Sequence, residues 1–456
     1  MAPLVQFQCS LDRLLRPLRH GLAALALALL IPVHADAFES RPYIQKAVEL
    51  IEEGRQSLAR AYLEPALIDY RLTSGERSRA YYLRGYSFFS QGLYVSALKD
   101  YNRALEFYPD NPIVLSALGH LYFDGLGVPR DEALGVELFR KASEAGYAPA
   151  QTRLGHAYLT GTGVEQDVSE ARRWLEPAAE AGEALAMRQL AASYRAPFAV
   201  SPEPETAMAW YEKAWQAGDP EAPAYIGFML EAGELSSAPE SARRYFEQSA
   251  EAGSALGQAK LAHLYLSDET READPDRARS LFEAAAAQGH PAGYLGLAYL
   301  YESGTGVVQD QEAALAWYRK AAEAGSTDAQ LRLAHRALRQ KNLDGQLEAK
   351  GWFERAAATD NPRAWNDYAW LLATSRFEEV RQGMQAVALA ERATARERSA
   401  SYLDTLAAAY AEIGNFEKAV TVQQEALALV TDQDSALATE LHSHLETFQA
   451  GKPWRE

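Results

Sequence analysis

A single cysteine, Cys9, stands in 456 residues. A disulfide framework and any zinc site built on paired thiolates are thereby excluded. Basic charge is also short: 45 Lys and Arg face 62 Asp and Glu, a formal net charge of −17. A nucleic-acid face needs clustered Lys and Arg, and an anionic membrane surface repels such a chain. Neither is expected as a partner; the acid excess favours neutral or cationic ones. Long apolar runs are missing as well. The longest candidate, residues 22–31, is about half of the ~20 residues that a spanning helix needs. Catalytic signatures are lacking: there is no Walker loop, no H-E-x-x-H pair and no G-x-S-x-G elbow. His442 and His444 precede Glu446 without a third ligand and read as surface histidines. No enzymatic activity, cofactor or metal is expected.

What is present begins with a targeting pattern. Arg13, Arg16 and Arg19 precede the apolar run, and Ala35 and Ala37 flank Asp36 as a small-residue cleavage site. Val33-His34-Ala35 offers a second cut. These are the parts of a secretory signal peptide over residues 1–37. Cys9 lies before the apolar run, so the pattern is not that of a lipoprotein. Cleavage leaves a cysteine-free chain, one unit more negative. The expected compartment is the periplasm, with the mature protein exported and soluble.

Self-similarity dominates the rest. Gly146, Gly182, Gly218, Gly253, Gly289 and Gly325 recur at spacings of 36, 36, 35, 36 and 36. Eight residues after each Gly stands an aliphatic residue: Leu154, Leu190, Ile226, Leu261, Leu297 and Leu333. A small residue follows, which lets two helices approach closely. Trp174-Leu175, Trp210-Tyr211, Tyr245-Phe246, Trp317-Tyr318 and Trp352-Phe353 mark a second helix, with Ala178, Ala214, Ala285, Ala321 and Ala356 on the same face. Each unit is a pair of amphipathic helices closed by a glycine that tolerates the left-handed conformation. Between the helices, Gly125, Gly161 and Gly304 open Gly-x-Gly turns, and Asp131, Asp167 and Asp310 stand where N-caps belong. Neither helix can bury its stripe alone, so stacking must supply the core.

These units resemble Sel-one-like repeats, relatives of the tetratricopeptide repeat. The resemblance covers residues 112–360 as seven units, of which the third, fourth, fifth and seventh lack the Gly-x-Gly turn. Residues 78–111 and 400–432 resemble ordinary tetratricopeptide units. Tyr81, Gly85, Gly92, Tyr94, Ala97 and Pro109 carry the first likeness; Ala407, Tyr410, Gly414 and Ala419 carry the second. Residues 38–77 read as a degenerate N-terminal pair, 361–399 as an irregular helical unit, and 433–456 as a last helix and tail. Residues 452–454 either cover the final helix or dock elsewhere. The fold implied is all-α: a right-handed solenoid of stacked antiparallel helix pairs. Cysteine-rich members assigned penicillin-binding or β-lactamase activity carry a disulfide pattern that this chain lacks.

The resemblance also implies that first helices line the concave face, with the residue after the small position facing the groove. That position reads Tyr86, His120, His156, Ala192, Phe228, His263, Tyr299, His335 and Trp370. Eight of nine are aromatic or His, against 10% aromatics overall. Such rings either pack between first helices or offer flat faces at ~10 Å intervals to an extended peptide or polysaccharide. Metal binding is disfavoured, because ligands must sit ~2 Å from the ion. The four imidazoles, with ordinary values near ~6.5, would charge on acidification. Asp268, Glu269, Glu272, Asp274 and Asp276 crowd one turn, with Asp274 read as a helix cap. The expectation is a non-enzymatic protein-binding scaffold of the cell envelope; the alternative is a polysaccharide- or peptidoglycan-binding module of an export assembly.

Overall fold

The computed structural model describes residues 40–235, 239–267, 273–431 and 435–456. The expected signal segment with Cys9, and Asp268, Glu269 and Glu272, lie outside these residues. Twenty-three helices and no strand occur among the described residues. They fall into two compact units, Met1–Ser237 and Ala238–Glu456.

The first unit holds α1 (Ser40–Glu52), α2 (Gln56–Ile68), α3 (Ser74–Phe89), α4 (Tyr94–Phe107), α5 (Pro112–Asp124) and α6 (Glu132–Glu144). It continues with α7 (Ala148–Thr160), α8 (Val168–Glu180), α9 (Ala184–Ser193), α10 (Pro204–Gln216) and α11 (Ala222–Glu231). The second unit holds α12 (Pro239–Glu251), α13 (Ala255–Ser267), α14 (Pro275–Ala287), α15 (Pro291–Ser303), α16 (Gln311–Glu323) and α17 (Thr327–Leu338). Its remaining helices are α18 (Leu343–Ala357), α19 (Pro362–Thr374), α20 (Gly383–Arg396), α21 (Ala400–Glu412), α22 (Phe416–Ala428) and α23 (Ala436–Gln449). The all-α repeat solenoid is thus the observed architecture.

Sequence chemistry accounts for the helix ends. Asp131, Asp167, Asp274 and Asp310 each accept a hydrogen bond from a first-turn backbone N–H as N-cap. At the far end of each unit the repeat glycine adopts a left-handed conformation, as at Gly182 with φ +94°. The next N–H then reaches back to the last turn, Glu183 N to Ala178 O at 3.1 Å. The second glycine of the Gly-x-Gly turn has a further reason. Gly163 has φ +70°, and a Cβ there would meet the Glu132 carbonyl oxygen of the preceding pair at 2.6 Å. That turn seats one repeat on the start of the previous second helix.

The core is built from the expected stripes. Leu154, Leu190 and Ile226 are at most 1% exposed, and Ala178, Ala214, Ala285, Ala321 and Ala356 are fully buried. Of each aromatic doublet the second member is the buried knob: Leu175, Tyr211, Phe246, Tyr318 and Phe353. Each knob enters where the first helix carries its small residue. A Cβ on Gly155 would lie 2.5 Å from Leu175. Such volume matching is what close-packed interiors demand.

Candidate functional site

Within each unit the most extensive contacts between helices that are not sequence neighbours join first helices, such as α7 to α9 and α13 to α15. Each ring directly follows the small residue of its first helix, the position that the knob of the same pair packs against. Tyr86, His120, His156 and Phe228 belong to the first unit; His263, Tyr299, His335 and Trp370 belong to the second. His263 and Tyr299 are exposed, and the other six are half-buried.

Four of these rings stand on the knob of their own pair. His120 meets Phe139 edge-on at 5.6 Å, and His263 meets Phe282 at 5.0 Å. Tyr299 meets Tyr318 at 5.9 Å, and His335 meets Phe353 at 5.3 Å. Interplanar angles run from 75° to 88°, the edge-to-face geometry that aromatic quadrupoles favour. The contact seats each ring on its knob while part of the ring stays accessible, most of all at His263 and Tyr299. Phe228 packs edge-on against Tyr225, and Tyr86 leans on Tyr82.

His120, His156 and His263 do not keep ordinary imidazole values, which corrects the expectation for these three. Desolvation, then the Arg153 charge, lowers His120 despite Asp124 at 3.5 Å. His156 is lowered by burial and by Arg153 and Arg188. His263 is lowered by desolvation and by Lys260. These three hold their neutral form further into acid than free imidazole. His335 Nε2 lies 3.0 Å from Asp367 Oδ2. Among the described residues no three His, Cys, Asp or Glu side chains converge on a metal position.

The second unit adds a pocket of about 400 Å³ between α15, α16, α17 and the start of α19. Tyr299 and His335 form part of its wall. Glu302 accepts from Tyr318 Oη at 2.7 Å and from Arg332 Nη1 at 2.5 Å. Burial and this carboxylate push the Tyr318 hydroxyl well up. The wall also carries Arg336, Arg339 and Arg363, which sequence reading did not single out. Their signal was legible: Arg332, Arg336 and Arg339 are spaced i, i+4, i+7 along one helix face.

Trp370 stands apart because the chain covers it. Its Nε1 donates to Glu456 Oε2 at 3.0 Å. Glu456 N donates to Thr374 O at 2.8 Å, and Arg376 N donates back to Glu456 O at 3.1 Å. Trp454 lies 4.3 Å from the His444 ring. The tail thus touches the final helix and docks on α19 as well. His444 is not a surface residue, as expected from sequence; it is 1% exposed beneath that tail.

The Sel1 repeat matches seven times, at 113–147, 148–183, 184–219, 220–254, 255–290, 291–326 and 327–360. A tetratricopeptide repeat matches at 78–111. The two compact units divide inside the fourth Sel1 match. Among solved structures, c5321, a protective antigen of uropathogenic Escherichia coli displaying an SLR fold, is 25% identical. The match covers 90% of this chain and 91% of that one, with a TM-score of 0.44. A Sel1 repeat protein from Oxalobacter formigenes is 29% identical over 53% of this chain and 98% of its own, TM-score 0.44. Immunity protein Pa5087 from Pseudomonas aeruginosa is 20% identical over 46% and 81%, TM-score 0.38. No curated protein matches.

Proposed function

Because the chain belongs to the Sel1 repeat family, whose members typically mediate protein–protein interaction, we propose that it is a non-enzymatic scaffold. It works in the periplasm or cell envelope and holds a partner protein through the ring-bearing face of its first helices. The observation that carries this reading is the ring ladder itself: four rings fixed edge-on by their own repeat, each with surface left outward. Pre-set aromatic surface binds with little loss of rotamer freedom. The basic flank, apolar core and small-residue site in residues 1–37 support export. Among the described residues no helix is long and apolar enough to cross a membrane.

The test is crosslinking in intact cells, followed by recovery from the periplasmic fraction. The parent is compared with a triple variant, His156→Ala, Phe228→Ala and Tyr299→Ala, whose folding is checked by circular dichroism. A defined protein that is captured by the parent and lost with the folded variant is the expected outcome. Capture unaffected by the three substitutions assigns the rings to packing alone. Recovery from the cytosol instead removes the envelope assignment.

A further inference from the structure

The pocket beside Tyr299 and His335 carries charge of the wrong sign for this chain. In a protein of formal net charge −17, four arginines line one pocket: Arg332, Arg336, Arg339 and Arg363. The acids nearby are largely committed. Glu302 is held by Tyr318 and Arg332. Asp367 faces His335 at 3.0 Å and Arg363 at 3.7 Å. Asp328 lines the wall from the first turn of α17, about two helical turns from Arg336. Arg336 and Arg339 make no ion pair among the described residues. Two exposed guanidinium groups therefore stand beside ladder rings with their donors uncommitted.

We propose that this pocket takes the carboxylate side chains of an extended acidic peptide from a partner protein. The inference rests on the scaffold reading above and names its ligand class. Guanidinium forks match carboxylates in two parallel hydrogen bonds, and Tyr299 offers a ring face alongside. The occupant is a peptide, since the next ladder position already holds one. At Trp370 the chain's own tail pairs its backbone with Thr374 and Arg376 and delivers the Glu456 carboxylate to the indole N–H. A partner segment carrying Glu or Asp would bring the same groups one repeat earlier. The acid excess elsewhere repels such a segment, which confines it to this site.

Fluorescence anisotropy with a fluorescein-labelled octapeptide of alternating Glu and Ala provides the test, on the full mature protein. Binding is expected to weaken on raising salt. It should fall about tenfold or more in the double variant Arg336→Gln, Arg339→Gln. Arg319→Gln, on the exposed side of α16 in the preceding pair, should leave it unchanged. The proposal is overturned if the folded parent does not bind the peptide. It is also overturned if the double variant binds equally well, if a Gln–Ala peptide competes equally, or if oligogalacturonate binds at these arginines and the peptide does not. If ladder-dependent crosslinking persists through such a failure, the acidic class is removed and the scaffold stands. If crosslinking is independent of the ladder, the scaffold reading falls, and this proposal with it.

Discussion

His444 is 1% exposed, and its Nδ1 lies 2.8 Å from Asp404 Oδ1. Gln423 Nε2 donates to the same oxygen at 2.7 Å and to Leu441 O at 3.0 Å. One carboxylate oxygen therefore serves two buried side chains drawn from two other helices. Replacing Asp404 with Ala should cost about 2–3 kcal/mol in urea unfolding, because both donors lose their acceptor in an apolar setting. Asp404→Asn, which keeps one acceptor, should recover a good part of the loss. Equal stability of all three proteins would show the cluster to be dispensable. None of this was readable beforehand. A histidine on the last helix declares its burial only when its partner 40 residues earlier is known. The knobs, by contrast, were readable, since Trp174-Leu175 and its counterparts recur in phase and the small residue facing them recurs with them.

Helix pairs set the next scale, and there the Gly-x-Gly turn joins one pair to the one before. Gly163 has φ +70° and sits within 2.6 Å, at an ideal Cβ, of the Glu132 carbonyl. Gly182 has φ +94° with open space around it. Gly182→Ala should cost about 1 kcal/mol, the backbone term alone. Gly163→Ala should cost about 2–4 kcal/mol, since overpacking against a main-chain atom is added. Comparing the two urea midpoints isolates the close approach, and equal costs would remove it. The turns and caps were legible because Gly and Asp carry specific conformational preferences. The arginine stripe on α17 is less distinctive in sequence, because Arg332, Arg336 and Arg339 at i, i+4 and i+7 also match an ordinary solvated helix face.

For the molecule as a whole, a stack stabilised between neighbours should respond locally to damage. Removing residues 452–456 deletes the Glu456 bonds to Thr374, Arg376 and Trp370, the Trp454 cover on His444 and the Arg455 pairing with Glu412. Hydrogen exchange should rise in α19, α21 and α23 while α1–α9 keep their protection. A rise spread evenly through all the helices would contradict nearest-neighbour stability. The all-α repeat class and the helix-pair order came through from periodicity alone, because each 36-residue unit repeats the same burial problem. The division of contacts between α11 and α12 did not, since periodicity runs through it without a break.

The tail's docking also has a consequence for the order of assembly. Most packing here joins segments adjacent in sequence, which form quickly because little chain must be searched. The bond from Trp370 to Glu456 spans 86 residues. Its entropic cost is modest, since each doubling of a loop adds only about 0.6 kcal/mol. Its timing is another matter: the surface that receives the tail exists only after α19 and α23 have been brought together. The strap should therefore settle only after those two helices have met, sealing a surface already in place.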